Sequence, residues 1–217
     1  MSQADGGRTT SRRAEQVAAR RAELIAAAHQ VVLDRGLANT RVAAVAAATN
    51  VSGGLIHYHF ATKDDLLTEM LRSVAAADIA RARAIAEGRG TAIERLERFL
   101  RHYTPGPGGD PAWLLWIDGW GAGLREPALR QIMGELDDAW ASYLEKVIAD
   151  GTVSGEFVCA DPAASARRLS ALLDGLGLRV TLDPRAISRR EMLEHGRAAA
   201  ALELGISPSD FTRKSTR

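Results

Sequence analysis

Apolar residues in this chain recur at intervals of three and four and almost nowhere at two, so its segments are expected to be helices that each bury one face. In the first long segment Leu24, Ala28, Val31 and Val32 fall at i, i+4, i+7 and i+8, predicting a helix from about residue 13 to Arg35 that Gly36 ends. Thr40 is placed to cap a short second helix carrying Val42, Val45, Ala46 and Thr49 on one face. Asn50 tolerates the left-handed turn that follows, and Ser52 then caps a third helix whose Ile56 and Phe60 face the core. Thr62 with Asp65 reads as a capping box opening a fourth helix to about Ala86, with Asp64 and Asp65 at its positive end. Asp110-Pro111, Pro127, Asp161-Pro162 and Ser188-x-x-Glu191 mark later starts. They predict helices near 91–103, 111–124, 127–149, 162–182 and 188–204, with breaks at 105–109 and 151–155. The expected fold is all-α.

Charge is divided unevenly along the chain. Arg8, Arg12, Arg13, Arg20, Arg21, Arg35, Arg41 and Lys63 oppose only Asp5, Glu15, Glu23 and Asp34 in the first 63 residues, a surplus of four cations in a chain of net charge +1. A basic front on an acidic body suits a head that meets phosphate and a body that does not. Cys159 is the single cysteine, which excludes an internal disulfide and any site of several thiolates. No apolar run approaches the ~20 residues that span a bilayer, and no signal peptide precedes the first helix, so no membrane partner and a cytoplasmic location are expected.

Two short helices joined by a tight turn, the second with an exposed face, make a helix-turn-helix, whose second helix lies in the major groove. Here it reads Ser52-Gly-Gly-Leu-Ile-His-Tyr-His-Phe60; with Ile56 and Phe60 inward, Leu55, His57, Tyr58 and His59 face outward wholly or in part. An aromatic ring and two imidazoles on one exposed turn suit phosphate oxygens and base edges better than bulk water.

The stretch from Thr40 to Leu67, with Val51-Ser52-x-Gly54-x-Ile56-x-Tyr58-x-Phe60 and Lys63-Asp64-x-Leu66-Leu67, resembles the DNA-binding signature of the TetR (tetracycline-repressor) family. The resemblance implies a three-helix DNA-binding domain followed by a helical ligand-binding and dimerisation domain. It implies that Thr40 and Lys63 bind phosphates, that Arg41 stands where some members of the family reach a guanine, and that Gly53, Leu55, His57 and Tyr58 touch bases or nearby backbone. His59 matches a less regular contact, and Ser52 and Gly54 complete the DNA-facing set. Gly53, Leu55 and His57 depart from the family's usual residues, which loosens inference about the operator; Leu55 suits a thymine methyl. Arg8, Arg12 and Arg13 belong either to a minor-groove arm or to a solvated tail.

In the body Trp113, Trp116 and Trp120 fall at i, i+3, i+7, so three indoles share a helix face that Phe99, Tyr103, Trp140 and Tyr143 can meet from neighbouring helices. Such residues pack a core, and with His102 and Asp118 they equally line an apolar pocket carrying a few polar groups. From Trp113 through Asp183 the chain is also similar to the betaine-regulator (BetI-like) branch of that family, which implies an aromatic box for a quaternary ammonium. Leu169, Leu173, Leu176 and Val180 form one stripe and Ala198 with Leu202 a second surface, together the expected interface of a two-fold dimer.

The expected organisation is a disordered arm over 1–12, a helix-turn-helix domain over 13–61, a ligand-binding and dimerisation domain over 62–206, and a disordered tail over 207–217. The expected function is a ligand-released repressor that binds a near-palindromic double-stranded DNA operator as a homodimer, with a small-molecule effector; an activator of the same family is the alternative. A helical enzyme or a ligand-binding protein without DNA function is the remoter one. No histidine has a glutamate three residues before it, and there is no HExxH or phosphate-binding loop, so no catalytic residue, metal or cofactor is expected.

Overall fold

The computed structural model describes the backbone of residues 5–107 and 110–211, and side chains from residue 12 onward. Among the described residues the elements are α1 (Asp5–Arg35), α2 (Val42–Thr49), α3 (Gly53–His59), α4 (Lys63–Ala86) and α5 (Ala92–Tyr103). They continue with α6 (Pro111–Gly123), α7 (Pro127–Val153), α8 (Pro162–Leu182), α9 (Arg189–Leu204) and a closing 3-10 turn at Pro208–Phe211. No strand occurs among them, as the three-and-four periodicity requires.

Two units emerge, one of residues up to Val74 with Asp118–Ile132, the other of Ala75–Ile117 with the residues from Met133 onward. The division falls inside α4, α6 and α7, whereas the sequence places its boundary at 61/62, where α4 begins. In the first unit Leu24, Ala28 and Val32 of α1, Val45 of α2, Ile56 of α3, and Leu66, Leu67 and Met70 of α4 are buried, so α1 to α3 bring inward the faces their spacing predicts. In the second unit Leu96, Phe99 and Leu100 of α5, Leu144, Val147 and Ile148 of α7, Leu169 and Leu173 of α8 and Met192 and Ala200 of α9 share one core.

Helix ends follow local chemistry. Asn50 closes α2 in the left-handed region (φ 52°, ψ 42°), and the amide of Val51 returns to the Ala46 carbonyl at 3.0 Å, the long bond of a Schellman end. Ser52 caps α3 by accepting from the Leu55 amide, and Thr62 and Asp65 exchange both bonds of the box that opens α4. A further capping box, Thr91 with Glu94, opens α5.

Four expectations need correction. α1 begins at Asp5, so residues 5–12 are helical rather than a disordered arm; no proline interrupts the run, and each added residue gains a backbone bond once the helix exists. Residues 1–4, the Arg8 side chain and residues 212–217 lie outside the described residues. Thr40 does not cap α2: the N-cap is Arg41, without a side-chain bond, and the Thr40 hydroxyl donates to the Gly36 carbonyl at 2.8 Å. α7 continues past 149 to Val153 because Gly151 is helical, and its missing Cβ leaves room for the Phe157 ring; the left-handed turn falls at Gly155 (φ 76°). Finally, the segment expected to be a tail contains the Pro208–Phe211 turn, which Phe211 anchors by burial in the second unit's core.

Candidate nucleic-acid interface and aromatic site

The outer face of α3 follows from its inner one. Ile56 and Phe60 are almost fully buried, which leaves Ser52, Gly54, His57 and Tyr58 exposed and Gly53, Leu55 and His59 half-buried. Tyr58 is 70% exposed, its ring edge-on to that of His59 at 5.1 Å, so a large aromatic surface stands in solvent without a core to fill. A Cβ built on Gly53 meets nothing, so that end of the helix is open to a close neighbour. Arg41 is exposed at the start of α2 and Lys63 half-buried at the start of α4, one cation on either side of α3 in the chain. Thr40 differs: it is 1% exposed, and its hydroxyl is turned to Gly36 rather than offered to a phosphate.

The aromatic residues of the second unit meet around Trp140. Phe99 and Tyr103 stand edge-on to its ring, His102 stacks on it at 5.2 Å, and Tyr103 meets Trp113 edge-on at 6.0 Å. The Trp113 indole N–H donates to the Tyr103 carbonyl, and the ring occupies the space a side chain at Gly177 would need. Trp116 and Tyr143 pack against the same core. Asp118 and Trp120 fall in the first unit, and Asp118 accepts the amide of Leu37 at the end of α1 instead of joining the ring cluster.

Two acids that the spacing argument left out stand among these rings. Asp174 of α8 accepts the Tyr103 phenol. Burial raises the Asp174 carboxyl above its usual range against that hydrogen bond, and no cation among the described residues compensates it. Burial first, then the nearby Asp174 charge, pushes the Tyr103 phenol well up. Asp78 of α4, also raised by burial, lies 3.4 Å from His102. The Trp140 indole nitrogen is buried without a hydrogen-bond partner. A sequence signal existed for Asp174, a charge directly after Leu173 on a helix otherwise apolar toward the core.

The expected dimer stripe is largely core. Leu169, Leu173 and Val180 are buried and Leu176 half-buried against the same cluster, because the apolar stripe of α8 faces its own chain. Exposed instead are Leu172, Gly175 and Leu182 of α8 and Ala198 and Leu202 of α9, with Leu202 89% exposed. No group of three or more His, Cys, Asp or Glu among the described residues is arranged to hold a metal, and no helix there is long and apolar enough to cross a membrane.

The pattern of bacterial regulatory proteins of the tetR family matches residues 24–70, and that of the BetI-type transcriptional repressor C-terminal domain matches residues 92–205. The chain belongs to the TetR family. The HTH-type transcriptional regulator BetI of Pseudomonas paraeruginosa is 30% identical over 185 residues, covering 80% of this chain and 87% of that one. A chain described as a transcriptional regulator from Saccharomonospora viridis, solved in complex with choline, superposes with a TM-score of 0.76 at 30% identity, covering 86% of this chain and 98% of its own. Another from Pseudomonas aeruginosa gives 0.73 at 29% identity, covering 85% and 90%. This TetR-family protein is therefore a DNA-binding regulator of transcription, with its helix-turn-helix in α2 and α3 and a helical C-terminal domain.

Proposed function

We propose that this TetR-family regulator is a repressor that binds its operator as a homodimer in the cytoplasm and is released by a small organic cation. The observation that carries the choice of ligand is Asp174, a half-buried carboxylate without a cation of its own, bonded to Tyr103, whose ring meets those of Trp113 and Trp140. Aromatic faces and a desolvated carboxylate both attract a quaternary ammonium, and the unpartnered Trp140 N–H can donate to an oxygen on the same molecule. The choline held by the Saccharomonospora viridis protein has both features.

At the operator, Arg41 and Lys63 meet phosphate or guanine, and Gly53, Leu55, His57, Tyr58 and His59 supply the groove-facing surface, flanked by Ser52 and Gly54. Two chains join through Leu172, Gly175 and Leu182 of α8 with Ala198 and Leu202 of α9. A two-fold pair asks for a near-palindromic site with recognition helices roughly 34 to 36 Å apart for half-sites one turn apart. Effector must favour the released geometry, so operator must weaken effector binding by the same factor.

Titrating choline into the protein, free and operator-bound, tests this. The expected result is binding that weakens on the operator complex and is lost in Asp174→Asn. Choline binding that ignores both the operator and Asp174 contradicts it.

A further inference from the structure

Arg21, in the middle of α1, makes three contacts with its one guanidinium, all inside the first unit. One nitrogen donates to the carbonyl of His59, the last residue of the recognition helix α3. The other pairs with Glu69 of α4 at 2.7 Å. The face of the group lies over the Phe60 ring, 4.3 Å from its centroid, where Phe60 ends α3 in extended backbone.

Each contact answers a physical need. The last carbonyls of a helix lack intrahelical donors and carry its partial negative charge, so a cation there satisfies one and offsets the other. Phe60 is almost fully buried, so a guanidinium over its ring is held against a fixed surface. Glu69 lies on the helix that begins with Lys63 and orients the second nitrogen of the group. A planar fork with donors on separate nitrogens holds two acceptors and a ring face in one fixed geometry, which a flexible ammonium point charge does less well.

We infer that Arg21 is a positioning residue for operator binding, fixing the pitch of α3 against the helix that carries Lys63. The inference rests on the DNA-binding role of α3. Arg21 meets no base or phosphate; it acts through the His59 carbonyl, Phe60 and Glu69.

Fluorescence anisotropy tests it with the full chain and two duplexes, one selected by the wild-type protein from random genomic fragments and one unrelated, across a series of salt concentrations. Arg21→Gln is expected to weaken binding to the selected duplex by roughly tenfold or more, as loss of charge-assisted bonds does. Binding to the unrelated duplex and the slope of log K against log salt stay as in the wild type. Glu69→Gln weakens the same ratio less, and the double variant is no worse than Arg21→Gln alone. Arg21→Lys rescues only in part, and this variant with Glu69→Gln carries the test should Arg21→Gln not fold.

A slope reduced by about 0.9 would make Arg21 a phosphate contact and overturn the inference. An unchanged ratio of selected to unrelated binding, with only thermal stability lowered, overturns it too. A wild-type chain that binds neither duplex instead defeats the assignment of α3 to DNA, and this inference with it.

Discussion

The Tyr103 phenol donates a hydrogen bond to the carboxylate of Asp174, its partner from a helix 71 positions further along the chain. That bond joins α5 to α8 inside a cluster of rings and holds a carboxylate where burial disfavours its charge. Holding a charge there is expected to cost stability in the free protein, a cost that functional sites often carry.

Replacing Asp174 by asparagine should therefore stabilise the free protein while weakening cation binding. A carboxyl whose folded-state value is raised contributes most below its unfolded value near 3.8, and that contribution is lost as pH rises through the folded value. The advantage of Asp174→Asn is then absent near pH 3 and grows toward neutrality to on the order of 1 kcal/mol, roughly 2–4 °C in Tm. Calorimetry at the two pH values measures it; equal Tm differences at both would deny that the charge is the cause.

Gly177 and Gly175 lie two residues apart on α8 and should respond oppositely to alanine. A Cβ at Gly177 overlaps the Trp113 indole, so Gly177→Ala is expected to cost about 1–3 kcal/mol and shift the tryptophan fluorescence. At Gly175 a Cβ meets nothing, and Gly175→Ala should hold or raise single-chain stability by up to about 1 kcal/mol through helix propensity. Denaturant titration followed by fluorescence distinguishes them.

Leu202→Arg and Leu172→Arg should dissociate the proposed dimer without unfolding the chain, since both side chains are exposed in the single chain. Leu173→Ala, fully buried, should instead cost about 2–5 kcal/mol whatever the assembly state. Sedimentation velocity beside thermal denaturation reads the two effects; a folded dimer in both arginine variants rejects this face.

Glu156 ties the end of α7 to the start of α5 by accepting the amides of Ala92 and Ile93. Burial alone would raise its carboxyl, but those amides and the Ser154 hydroxyl outweigh it and hold it below the usual glutamate range. Its contribution is therefore present above pH 4.5 and lost as pH falls through the lower folded value. Glu156→Gln should lower stability at neutral pH by at most about 1 kcal/mol once solvent screening is allowed for. The difference from wild type should close in acid, as urea midpoints at pH 7 and pH 3 would record.

What the sequence disclosed and what it withheld divide by range. Periodicity and caps are local, so the faces of α1 to α3, the Asn50 turn and the boxes at Thr62 and Ser188 were legible residue by residue. Periodicity does not say which neighbour a stripe meets, and so Leu169, Leu173 and Val180, apolar and evenly spaced, read as an interface although they face their own chain. Asp118 lies between Trp116 and Trp120 in the chain and so reads as a polar group of their pocket, but its partner is the backbone of Leu37, 81 positions away. Thr40 has the chemistry of a cap or a phosphate ligand, and only the packing of the turn after α1 shows its hydroxyl bound to Gly36. Arg21, one of several arginines on a polar helix, has no mark in the sequence to separate it from Arg20.

Regulation by this protein depends on the exposed side of α3 entering a duplex. Anisotropy of a labelled duplex selected by the protein from genomic fragments, read for wild type and Tyr58→Ala over a salt series, tests it most directly. Wild-type affinity should fall linearly in log K against log salt, and Tyr58→Ala should lose roughly tenfold or more with the fold unchanged. Binding that Tyr58→Ala and His57→Ala leave untouched, or a wild-type chain indifferent to every duplex, would contradict it.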